Sequence, residues 1–155
     1  MVKKIIAFFL SICLLMVAMA GPLMAGKVED AEALAEQALT MFRENGVDAT
    51  LKAMNSKNGP FIKGDMYVFA MTMDNVVMAH PYEHSVRRIS VNNVNDATGV
   101  PMFRRMKEIV ETQGSGWLDY KWTRPGESQP SQKKSFVKKV PDKPLYIGVG
   151  FYTEK

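Results

Sequence analysis

The sequence predicts an α+β domain: a five-stranded antiparallel sheet with a long amino-terminal helix and a second helix between strands two and three. Three observations carry this expectation. An apolar stripe at helical spacing runs from Val28 to Asn45. Five short runs of aromatic and aliphatic residues follow, separated by turn residues. A second helical stretch, Pro101 to Thr112, falls between the second and third of those runs.

In the first helix Ala31, Leu34, Ala35, Ala38, Leu39 and Phe42 recur at three- and four-residue steps, which places them on one face. Glu29, Asp30 and Glu32 suit the positive end of its dipole. Gly46 is a natural stop, and Asp48 to Met54 reads as a short further helix before Asn58-Gly59-Pro60 breaks it. Met66 to Met73 and Val76 to His80 are two strands around the turn Asp74-Asn75, hence a hairpin. Tyr82 to Asn95 fits no periodic template. Pro101 opens the second helix, where proline is tolerated, and Met102, Phe103, Met106, Ile109 and Val110 form its apolar face. Trp117 to Trp122 is the third strand and Thr123 to Gln132 a polar loop. Lys134 to Val140 is the fourth strand, Pro141 to Pro144 a turn, and Leu145 to Thr153 the fifth strand. A PAS-like sheet satisfies this order.

Residues 1–25 read as a cleaved export signal. Lys3 and Lys4 precede an apolar run, Ile5 to Ala20, and Ala18-Met19-Ala20 has the small-x-small pattern that a signal peptidase reads. The run falls short of the about 20 apolar residues a stable span needs. Residues 26–155 form one domain. The expected location is the periplasm. Cys13 is the chain's only cysteine, so the exported part has none. That excludes disulfides, thiolate metal sites and a cysteine nucleophile. The 20 Lys and Arg face 16 Asp and Glu, too small and too scattered an excess to suggest nucleic acid.

Four stretches resemble a known family. Tyr67-Val68-Phe69, Asp74-Asn75 and His80-Pro81 resemble the first hairpin of single Cache domains of the second type. Gly116-Trp117-Leu118-Asp119-Tyr120-Lys121-Trp122 resembles a later strand of that family. Lys133-Lys134-Ser135-Phe136-Val137-Lys138 resembles the next, and Gly148-Val149-Gly150-Phe151-Tyr152 the closing one. The resemblance implies a PAS-like extracytoplasmic sensor of small molecules. It also implies ligands such as acetate, propionate, pyruvate or lactate. A free-standing domain of this kind would report through a membrane receptor or sensor kinase. Phe136 stands where the family often has Tyr. Arg87 and Ile89 stand where Gly and Asn or Asp are common.

A small carboxylate needs a cation or hydrogen-bond donors in an otherwise dry cleft. The candidate ligand-binding residues are His80, Tyr120, Trp122, Tyr67 and Lys133. His80 is a ring donor or a structural histidine bonded to the backbone beside Pro81. Lys133 is a counter-charge or a solvated loop residue. Tyr120 and Trp122 share a strand face, as pocket wall or as plain core, and Tyr67 has the same two readings. Gly148 and Gly150 leave room for a ligand or for helix packing. If the side chains fill the pocket themselves, the domain is structural or a protein-interaction module. No cofactor or metal is expected: the methionines read as core filler, and Pro81 between His80 and His84 breaks the helix a zinc pair would use. Nucleophile-elbow, zinc-protease and phosphate-loop motifs are all missing, so an enzyme is not expected.

Overall fold

The computed structural model describes residues 2–153, with side chains from Met24 onward. The expected export segment thus lies, up to Leu23, outside the described side chains. The chain divides into two compact units, residues 1–30 and 31–155. Among the described residues no helix is long and apolar enough to cross a membrane.

Helix α1 spans Val2–Met54, with one break: Gly46 has φ 81° and ψ −179°. Only glycine adopts that conformation without strain. The two helices expected around Gly46 therefore abut across a kink. The Thr50 hydroxyl donates to the Gly46 carbonyl at 2.7 Å and ties the second piece to the break. The stripe Ala31, Leu34, Ala35, Ala38, Leu39 and Phe42 is buried, and Glu36 pairs with Lys138 of the sheet.

Among the described residues the sheet has six strands, one more than expected. They are β1 (Ile62–Lys63), β2 (Met66–Thr72), β3 (Val77–Ala79), β4 (Ser115–Thr123), β5 (Pro130–Lys139) and β6 (Leu145–Tyr152). Two residues carry no periodicity, which is why β1 escapes a sequence reading. The order is β1-β2-β6-β5-β4, with β3 also pairing β2. All pairings are antiparallel. The chain's last strand thus lies at the centre, and every residue of β6 is buried. A strand covered on both faces reads as a continuous apolar run rather than an alternation. β5 begins at Pro130, four residues before the expected start, so Lys133 is a strand residue and not a loop residue.

The pleat sorts the sheet into two faces. Tyr67, Phe69 and Met71 of β2, Leu118 and Tyr120 of β4, Val137 of β5 and Tyr146 of β6 form one core. Helix α2 (Met102–Gln113) closes over it with Met102, Phe103, Met106 and Val110. On the other face Trp117 packs on Phe136 and Phe151, at ring separations of 5.2 and 6.0 Å.

The stretch after β3 has only a short 3-10 turn, His84–Val86. Its order comes from other elements. The Val77 N–H donates to the Ile89 carbonyl at 3.1 Å, and the Arg88 N–H donates to the Val77 carbonyl at 2.7 Å. Asp96 accepts from the Lys121 N–H of β4 at 2.8 Å. These ties hold Val86, Val91 and Val94 over the first face.

Candidate ligand-binding site

Between the first face, α2 and this covering segment lies a cavity of about 90 Å³. One water needs about 10–15 Å³, so there is room for a molecule of a few non-hydrogen atoms. Tyr67, His80, Tyr120, Trp122 and Lys133 all line it. The five candidates, drawn from four strands or their ends, thus meet in one place. Phe69, Met71, Val77 and Phe103 supply most of the remaining apolar wall. Neither aspartate nor glutamate lines it.

Lys133 is the centre of charge. It faces Tyr120 across one strand pair and Tyr152 across the other. Its side chain is 1% exposed. The Nζ atom lies 3.9 Å from the Tyr67 ring centre, 5.2 Å from that of Tyr152 and 5.9 Å from that of Phe69. Ring faces carry partial negative charge and attract a cation. Among the described residues Lys133 forms no salt bridge. Burial disfavours the ammonium and pushes its pKa down to about 7, with Asp65 opposing that shift.

His80 follows β3. Its Nδ1 accepts from the backbone N–H of Glu83 at 2.9 Å and of Tyr82 at 3.3 Å. An acceptor nitrogen carries no proton, so the proton of the neutral ring sits on Nε2. Burial, then the Lys133 charge, hold the His80 pKa down at about 3, so the ring is neutral near pH 7. One ring nitrogen thus binds the backbone beside Pro81, and the other is left as a donor. The His80 N–H itself donates to Asn55 Oδ1 at 3.1 Å, fixing it to the end of α1.

The tyrosines form short relays. Tyr120 and Ser135 hydroxyls lie 3.0 Å apart. Tyr67 is hydrogen-bonded to Tyr152, whose own hydroxyl donates to the Thr123 carbonyl at 2.8 Å. Burial pushes the Tyr67 and Tyr120 pKa values up, so both stay protonated. Trp122 packs edge-on against Phe103 of α2 at 5.9 Å.

The two glycines of β6 act differently from expectation. A Cβ on Gly148 would lie 2.0 Å from Phe69 Cζ, and one on Gly150 2.2 Å from Ser135 Oγ. Cross-strand side chains, rather than a ligand or a helix, fill the space they leave. Sequence reading missed Ser135, Tyr152 and Phe69. Ser135 and Phe69 each sit on the same strand face as a chosen residue, two positions away, and that spacing was the available signal. Tyr152 lies on β6, which carries no chosen residue, and comes opposite Lys133 only through the β5–β6 register. Val86, Val91 and Val94 gave no signal, because the segment bearing them has no period. Among the described residues no group of three or more His, Cys, Asp or Glu is placed to hold a metal ion.

Comparison with known proteins bears on this arrangement. The sequence model of a family described as Cache domain matches residues 26–155. The methyl-accepting chemotaxis protein McpP of Pseudomonas putida is 24% identical over 90 residues, 58% of this chain. That stretch is 16% of McpP, so the chain spans a small part of that receptor's length. Three solved structures share the fold. One is described as a periplasmic sensor domain of a chemotaxis protein, with TM-score 0.68 and 23% identity over 90% of this chain and 99% of that one. The second, a Cache chemosensory domain described for carboxylic acid recognition, has TM-score 0.67 and 21% identity over 90% and 97%. The third is a methyl-accepting chemotaxis protein from Vibrio parahaemolyticus, with TM-score 0.76 and 15% identity over 89% and 96%.

Proposed function

We propose that this chain, which belongs to the Cache domain family, is an extracytoplasmic sensor domain that binds a small organic acid. One observation carries the reading. An ammonium group and a neutral ring N–H, from Lys133 and His80, border a small apolar cavity that no carboxylate lines. A buried cation that forms no salt bridge among the described residues, with Asp65 acting on it only at longer range, is stabilised by an anion that enters its apolar site. The apolar wall suits a short hydrocarbon tail, and the volume suits acids of the size of acetate, propionate, pyruvate or lactate. Tyr120 supplies a further hydroxyl, while Tyr67 and Trp122 act as walls. The carboxylic acid recognition described for one structural relative supports the same class.

In this proposal residues 1–25 are the export signal, residues 26–155 the binding domain, and the periplasm its location. The bound state is reported to a membrane receptor or sensor kinase. No catalytic step is assigned.

The test is thermal. A ligand that binds only the folded state raises the melting temperature by mass action. Acetate, propionate, pyruvate and lactate are titrated while melting is followed, with ammonium chloride as the salt control. At least one acid is expected to raise the midpoint saturably. If none does so beyond the salt control, the pocket is filled by its own side chains and the acid-sensing reading is lost.

A further inference from the structure

Lys133 brings more to the cavity than charge. Among the described residues it is the only lysine lining it, its side chain is shielded from solvent, and ring faces surround its Nζ. Gly150 keeps clear the space the side chain occupies. A desolvated amine that no carboxylate contacts in a salt bridge is the microenvironment in which lysine acts as a nucleophile on carbonyl compounds. Near neutrality burial leaves a large share of Lys133 uncharged.

We propose that Lys133 Nζ condenses reversibly with the carbonyl of a small 2-oxo acid and holds it in the cavity as an imine. This rests on the acid-binding reading above and adds covalent capture to it. The nitrogen lone pair attacks the 2-oxo carbon, and the carbon–oxygen π pair moves to oxygen. A proton passes from nitrogen to that oxygen, giving a carbinolamine. The carbon–oxygen bond then breaks, the oxygen leaves as water with a second proton taken from solvent, and a C=N bond forms whose nitrogen keeps its remaining hydrogen. No oxidant or reductant is needed. The protonated imine keeps a positive charge beside the ligand's own carboxylate. His80, whose Nε2 carries the ring proton, and Tyr120, with its Ser135 partner, line the same cavity, and in this proposal they hydrogen-bond the departing oxygen. Acids of the same length without a keto group are held by charge and packing alone. The site thereby separates a 2-oxo acid from its 2-hydroxy counterpart.

The test uses the purified protein with pyruvate and sodium cyanoborohydride near pH 7, with lactate as the matched acid lacking the carbonyl. Intact mass and peptide mapping are the readouts. The expected result is a single adduct, heavier by pyruvate less one oxygen. It maps to Lys133 rather than to its exposed-side neighbour Lys134, and excess lactate blocks it. A second readout does not depend on the reductant. With pyruvate carrying carbon-13 at the carbonyl, the bound resonance moves upfield to an imine position. If pyruvate raises the melting temperature as lactate does, with neither adduct nor imine resonance, covalent capture is overturned and acid binding stands. Adducts on surface lysines without Lys133 overturn it equally. If neither acid shifts melting and Lys133 is unlabelled, both readings fall. Lys133→Arg is expected to keep lactate binding and lose the adduct. Should that variant not fold, the wild-type mapping decides the question alone.

Discussion

Gly150 lies directly beneath Lys133: a Cβ at position 150 would sit 2.3 Å from Lys133 Cε and 3.3 Å from Nζ. The glycine is therefore part of the site although it presents nothing to a ligand. Gly150→Ala must push aside both Lys133 and the Ser135 hydroxyl. The expected cost is about 1–3 kcal/mol of stability, typical of overpacking, together with weakened acid binding. Denaturant melts and an acid titration of the variant measure the two separately. Unchanged binding in a folded Gly150→Ala domain would show that the position of Lys133 does not matter.

On the acid-binding proposal, Lys133 is expected to make binding depend on pH. Its pKa is held down at about 7 by burial, while an anion in the cavity favours the ammonium. Simple acids such as acetate and lactate are thus expected to bind more tightly below pH 7 than above it, with uptake of a proton. In the ligand-free domain the sign for stability is opposite. The unfolded chain holds more protons between the folded pKa and the ordinary lysine value, so stability from this group rises with pH across that window. Calorimetric titrations in buffers of different ionisation heat read the proton uptake directly. An affinity that is flat between pH 6 and pH 9 would remove Lys133 as the counter-charge.

His80 does two jobs, and two substitutions separate them. His80→Ala strips the acceptor from the Tyr82 and Glu83 N–H groups and is expected to destabilise by about 1–3 kcal/mol, besides losing the ring donor. His80→Asn keeps an acceptor near the Nδ1 position but offers no group at Nε2. It is expected to melt closer to the parent while binding acids at least tenfold more weakly. Because the folded-state pKa is about 3, acidification from the ordinary histidine range toward pH 3 destabilises the domain. In that window the unfolded chain takes up the proton and the folded one does not. If His80→Asn bound acids as the parent does, the imidazole would be structural only.

The covering segment hangs on a buried amide. Asn75 is fully buried, with φ 55°. It accepts from the Tyr146 hydroxyl at 2.7 Å and donates to Asn92 at 2.8 Å. Tyr146→Phe leaves that Oδ1 without its donor, for an expected loss of about 1–3 kcal/mol. Amide hydrogen exchange should then quicken through the segment that carries Val91, since Val91 N–H bonds to the Asn75 carbonyl at 2.9 Å. Faster exchange confined to β6 would contradict this coupling.

Much of the architecture follows from local chemistry alone. The stripe of α1, the stop at Gly46, the Asp74-Asn75 turn and the apolar face of α2 are properties of residues a few positions apart. Periodicity and turn preferences therefore suffice to place them. So do the pairings within a strand, such as Tyr120 with Trp122. What only the tertiary structure decides are relations across strands and across gaps in sequence. The position of Lys133 between Tyr120 and Tyr152 depends on two ladder registers and on β5 starting at Pro130. The glycines of β6 read as open space, yet Phe69 and Lys133 reach over from neighbouring strands and occupy it. Val86, Val91 and Val94 close the cavity from a segment with no pattern of its own, because its hydrogen bonds go to other elements. The sequence alone determined which residue types the domain carries and on which strand faces they lie. The packing of distant strands determined that five of them share one largely apolar cavity, where burial lowers the pKa of an ordinary lysine to about 7.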